Sequence, residues 1–140
     1  MRFNTLVKDL LQEKEYIAFH GSKSGEFSAF KKTDATFFTD NEYVARSYMN
    51  SWGEKSAQLH KVRLTLNNPL RYDAKGKSFN ELSFLTNSVE RLINKAKENG
   101  NDGVIIKNIY DAPNGSTKDP ANLGTNYIVF DPSQVRVEDK

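Results

Sequence analysis

An α+β fold on a largely antiparallel sheet is what this sequence predicts, and three observations carry the prediction. Short β-branched and aromatic runs recur along the 140 residues, amphipathic helical stretches stand between some of them, and no regular βαβ alternation links the two. The length suits one domain, 1–140, large enough to bury a real core.

Asn4 or Thr5 can cap a first helix that carries Leu6, Leu10 and Leu11 on one face and ends near Lys14. Tyr16 to His20 reads as a strand stopping at Gly21, and 21–34 as a polar loop anchored by Phe27 and Phe30. Thr36 to Thr39 is a β-branched and aromatic run, followed by Asp40 as N-cap and a helix over 41–49. Leu59 to Leu66 alternates apolar and polar, the pattern of a half-buried antiparallel strand, and Asn67-Asn68-Pro69 ends it as a turn. His60 shares a face with Val62, Leu64 and Leu66, which makes it a structural, partly buried histidine.

Residues 79–98 place Leu82, Leu85, Val89, Leu92, Ile93 and Ala96 at steps of three and four, so one long helix is expected there, closed by Asn99-Gly100. Val104 to Ile109 is a strand, and 110–125 a loop whose length and Asn, Gly, Ser and Pro content fit a functional segment and a flexible connector equally. Tyr127 to Phe130 is a further strand, Asp131-Pro132-Ser133 a turn, and Val135 to Val137 a last short strand.

Composition removes several function classes. With no cysteine, disulfides, thiolate metal sites and a cysteine nucleophile are excluded. Two histidines without HExxH spacing leave no dedicated metal site, and the Walker and Rossmann glycine patterns are absent. The net charge of +2 is spread evenly, so direct nucleic-acid binding is not expected, despite Lys31-Lys32 beside Phe30. No run approaches the ~20 apolar residues of a membrane span, and the N-terminus lacks a signal-peptide core. A soluble, cytoplasmic protein is expected.

Singly, a histidine at a strand end or an aromatic on a helix is structural. The joint spacing is more telling: a strand ending in His20-Gly21-Ser22, a strand Thr36-Phe37-Phe38-Thr39, Tyr48 eleven residues after Phe37 on the next helix, and a late Asn126-Tyr127-Ile128-Val129-Phe130-Asp131. The stretches FHGS, TFFT, ARSY and NYIVFDPSQV resemble, in order and spacing, the motifs of ADP-ribosyltransferases of the His-Tyr-Glu branch that includes diphtheria toxin and the poly-ADP-ribose polymerases. Within that branch the chain is most similar to the small domains of phage polyvalent proteins, through FFTD, VRLTLNNPL, DGVIIKNI and YIVFDPSQV. The resemblance spans 16–138 and implies an antiparallel split sheet with flanking helices.

It also implies NAD as co-substrate. His20 would hydrogen-bond a ribose hydroxyl, the Gly21 main chain would hold the carboxamide, and Ser22 would reach the adenosine-side ribose. Phe37 and Tyr48 would sandwich the nicotinamide; stacking needs only a flat face, so phenylalanine serves where the family has tyrosine. The residues' own chemistry agrees: such a ligand needs two aromatic faces and a glycine that allows close approach of the backbone.

Two positions depart from the family pattern. Ala45 stands where polymerase relatives carry a carboxamide-binding serine, and Asn126 stands at the place of the signature glutamate. Cleaving the nicotinamide–ribose bond builds positive charge on the ribose, which a carboxylate stabilises and an amide does not. Three readings stay open: slow mono-ADP-ribosylation with His20, Phe37 and Asn126 as the catalytic set, a carboxylate from the acceptor or from another residue such as Asp111 or Asp119, or an NAD-binding module without turnover. Chain elongation is not expected, because the glutamate also activates the acceptor hydroxyl. The likeness to phage proteins implies a host protein or complex as acceptor, a CRISPR complex among the candidates, met by the loop 110–125.

Overall fold

The computed structural model describes residues 14–22, 35–52, 57–83, 88–114 and 118–138. The expected first helix and the anchors Phe27 and Phe30 lie outside the described residues. Seven strands form one sheet: β1 (Glu15–Ser22), β2 (Thr36–Thr39), β3 (Gln58–Thr65), β4 (Leu70–Ser78), β5 (Gly103–Tyr110), β6 (Leu123–Val129) and β7 (Val135–Val137). Their spatial order is β4-β5-β6-β2-β1-β3-β7, and every neighbouring pair is antiparallel except β4–β5. Three α-helices are described, α1 (Glu42–Trp52), α2 (Phe79–Ser83) and α3 (Val89–Glu98).

The sheet is weakest in its middle. β1 meets β3 over eight register pairs and β2 meets β6 over four, whereas β1 and β2 share only Phe19↔Thr39. The pairing is continuous across all seven strands, with this one-pair seam between β4-β5-β6-β2 and β1-β3-β7.

Directly paired residues point to the same face of a sheet. Phe19, Gly21, Phe37, Thr39, Asn126, Ile106 and Ile128 therefore share one face, which α1, α2 and α3 cover. Under α2 and α3 this face holds Ile106, Ile109, Ile128, Leu82, Leu92 and Ala96 in one buried cluster. The opposite face buries Ala18, Phe38, Val62, Leu64, Ile105 and Val129. His60 is 7% exposed and sits in line with Val62 and Leu64, as the alternation predicts.

Several boundaries differ from the sequence reading. The stretch 79–98 is two helices, because Ser88 is extended and caps α3, its hydroxyl accepting from Arg91 N at 3.3 Å. Leu82, Leu92 and Ala96 still reach one core, so a helical period survives the break between them. β4 is a strand that low-propensity residues hide: Asp73-Ala74-Lys75-Gly76-Lys77 form a bulge, with positive φ at Lys75 and Gly76. With α2 and α3 it makes one βαβ crossover to β5. The cap of α1 is Asn41, whose side chain accepts from Val44 N, while Asp40 accepts instead from Thr125 N. Tyr43 is 56% exposed on α1.

The loop 110–125 is also shorter than it reads. β5 runs through Tyr110 and β6 begins at Leu123, joined by Tyr110↔Leu123, and Pro120–Asn122 form a 3₁₀ turn between them. Asn67 and Asn68 form the expected turn, their N–H groups both donating to the Asp102 carboxylate, at 2.7 and 2.9 Å.

Candidate active site

A cavity of about 370 Å³ opens at the seam, lined by His20 and Gly21 of β1, Phe37 and Thr39 of β2, Ala45 and Tyr48 of α1, Asn126 of β6, and Asp111 just beyond β5. Five residues singled out in the sequence, His20, Gly21, Phe37, Tyr48 and Asn126, thus meet in one place. Ser22 ends β1 opposite Gln58.

The geometry of His20 follows from the seam. Beyond Phe19↔Thr39 the two strands share no further register pair, and the Phe37 carbonyl is met by the imidazole, Nδ1 to O at 2.9 Å. A carbonyl can only accept, so Nδ1 carries the proton, and the neutral ring has its acceptor lone pair on Nε2. Burial holds His20 below the usual histidine range, more than the Phe37 bond raises it, and its neighbour His60 lowers it further. The ring also leans on Phe38, centroids 5.2 Å apart.

Gly21 is needed for packing. A β-carbon there would lie 2.7 Å from Met49 Cγ and 2.9 Å from the Ala45 carbonyl oxygen, so β1 can approach α1 this closely only without a side chain. Phe37, on the strand alternating with the buried Phe38, keeps 38% of its surface exposed and offers an aromatic wall.

The third side of the cavity is a polar cluster about Asp111. Tyr48 donates its hydroxyl proton to Asp111 Oδ1 at 2.5 Å and Asn126 Nδ2 donates to Oδ2 at 3.1 Å. Asp111 is 7% and Asn126 2% exposed. Asn122 clamps the Asp111 main chain from both sides, accepting from its N–H and donating Nδ2 to its carbonyl, each at 3.0 Å. Burial raises the Asp111 carboxyl above the usual range, opposed by the Tyr48 and Asn126 bonds. The same burial, with the adjacent carboxylate, drives the Tyr48 phenol strongly upward, so it stays protonated and donating.

Of the two carboxylates in the stretch before Asn126, Asp119 is exposed and caps the 3₁₀ turn through Ala121 N, whereas Asp111 enters the cavity. No sequence motif separates the two; pairing of β5 with β6 does. No group of three or more metal-ligating side chains occurs among the described residues. Nor is any helix there long and apolar enough to cross a membrane.

The cavity thus has an exposed aromatic wall in Phe37, a histidine held in one tautomer and a buried polar cluster about Asp111. Neither a curated protein nor a solved structure matches the chain. A family model does, over residues 14–139, and it is described as the ADP-ribosyltransferase of polyvalent proteins. Nearly the whole chain is covered by that match, and the chain belongs to this family of ADP-ribosyltransferases.

Proposed function

We propose that this protein is an NAD-dependent mono-ADP-ribosyltransferase, with the cavity at the β1–β2 seam as its NAD site. The observation that carries the reading is the His20 imidazole, held by the Phe37 carbonyl at the rim of a cavity that also contains Gly21, Phe37 and Tyr48. In this reading Nε2 accepts from a ribose hydroxyl and the Gly21 main chain holds the carboxamide. Phe37 and Tyr48 flank the nicotinamide, and Ser22 meets the adenosine-side ribose. Ala45 in the lining adds no polar contact to the carboxamide.

A single transfer follows from Asn126. An amide cannot deprotonate an acceptor ribose hydroxyl, so elongation of a chain is disfavoured. The acceptor is a macromolecule reached past Asp111, Ala112 and Pro113, which border the cavity. By likeness to polyvalent proteins it is a host protein or complex, with a CRISPR complex as one class to test in the cytoplasm of an infected cell. In this reading the one-pair seam between β1 and β2 stands for the split that the resemblance implies.

Asn126 also favours a second reading, an NAD or ADP-ribose binding module without turnover. Incubation with labelled NAD, alone and with host lysate, separates the two. A lysate-dependent ADP-ribose adduct that is absent with His20→Ala establishes the transferase. NAD binding without nicotinamide release in any lysate establishes the binding module.

A further inference from the structure

Resting on the NAD site proposed above, we infer that Asp111 supplies the carboxylate missing at position 126, and that Tyr48 and Asn126 act together to position it. Asn126 lies on β6 in direct register with Ile106 of β5, and the chain leaving β5 carries Asp111 back to the Asn126 amide. One carboxylate and one amide thus share the spot, with the charge arriving from the neighbouring strand.

Both oxygens of Asp111 accept, Oδ1 from the Tyr48 hydroxyl and Oδ2 from the Asn126 amide. The Tyr48 hydroxyl reaches Asp111 Oδ1 and also lies 3.2 Å from the Ala112 carbonyl oxygen, which holds it beside the carboxyl. Each carboxylate oxygen has two lone-pair sites, so one bond to Oδ1 and one from Asn126 to Oδ2 leave acceptor capacity for a substrate hydroxyl. The main-chain clamp from Asn122 fixes the residue that carries this group.

The step balances as follows. The bond between C1′ of the ribose and the nicotinamide nitrogen breaks, and its electron pair leaves with the ring, which becomes neutral and needs no proton. The positive charge that grows at the ribose faces the Asp111 carboxylate. A nucleophilic atom of the acceptor, or water, gives its pair to C1′, and its proton passes to solvent.

Tyr48 consequently has a second task besides its flat face. Its hydroxyl bond lowers the Asp111 carboxyl against the upward push of burial, so removing it shifts the acid limb of the pH–rate profile to higher pH. The other groups about the carboxylate are Asn126, which does not titrate, and His20 across the same cavity.

The test uses full-length protein with labelled NAD, measuring NAD affinity by calorimetry and nicotinamide release with and without lysate. Asp111→Asn is expected to hold NAD affinity within about threefold and to lower release by roughly 10²-fold, the cost of losing one oriented electrostatic partner. Release within threefold of wild type in Asp111→Asn overturns the assignment while the NAD site stands. Wild type that binds NAD without any release overturns it as well, and wild type that binds no NAD overturns the site itself. Because Asp111→Asn can unsettle its loop, two further variants decide independently. Tyr48→Phe should bind NAD normally with its acid limb moved upward, and an unmoved limb refutes the positioning role. Asp111→Asn combined with Asn126→Asp restores one carboxylate and one amide, and should recover release at least tenfold over Asp111→Asn; no recovery in a folded protein counts against the carboxylate.

Discussion

Gly21→Ala tests whether the β1–α1 contact sets the cavity. The added carbon would sit 2.7 Å from Met49 Cγ and 2.9 Å from Ala45 O, against about 3.5–4.0 Å for relaxed carbon contacts. A gap of roughly 0.5–1 Å must therefore open. Met49 can swing aside, but the Ala45 oxygen belongs to the helix backbone, so strand or helix has to move. Overpacking of this kind costs about 1–3 kcal/mol. For a domain of this size each kcal/mol is worth about 4 °C, so a fall in Tm of roughly 4–12 °C is expected by calorimetry. Since His20 is the preceding residue, its bond to Phe37 O shifts too, and NAD affinity should fall with Tm. Adding Met49→Ala should recover only part of the loss, because the oxygen contact remains. A Gly21→Ala protein with wild-type Tm would refute the tight approach, and full recovery in the double variant would place the whole clash on the methionine.

Phe37→Ala removes a wall that is 38% exposed, so NAD affinity should drop by about tenfold or more while Tm changes little; unchanged affinity would remove Phe37 from the site. His20 is held below the usual histidine pKa of about 6.5, so its neutral form contributes stability that is present above that pH and lost as the pH falls through it toward the lowered folded value. Asp111, raised by burial, acts in the opposite sense, its ionisation costing stability as the pH rises through its folded value. The comparison to make is accordingly the Tm difference between wild type and His20→Gln from pH 8 to 5, which should narrow on acidification; parallel curves would contradict the burial argument. Ser88→Ala should lower stability by about 1 kcal/mol by uncapping α3, read from urea unfolding, and no change would mean that the cap is dispensable.

How much was legible in the residues differs between elements. Alternation placed β3 and the face of His60 correctly, because a period of two is a local property of a half-buried strand. The turn at Asn67-Asn68 and the end of α3 at Asn99-Gly100 were legible for the same local reason. The single helix over 79–98 was not, because apolar spacing cannot tell one helix from two that pack on the same strands; the extended Ser88 decides that. β4 escaped because its pairing with β5 is nonlocal and its middle is a charged bulge.

The sequence by itself determined the α+β class, most of the strands, the family resemblance, and the residues His20, Gly21, Phe37, Tyr48 and Asn126 that the cavity collects. These are written in local pattern and spacing, which the chain carries whether folded or not. Tertiary structure alone decided that Gly21 serves the approach of β1 to α1 and that Asp111, not Asp119, reaches Asn126. Both depend on which strands lie side by side, and a hydrogen bond between residues 15 apart in sequence exists only once β5 and β6 have paired.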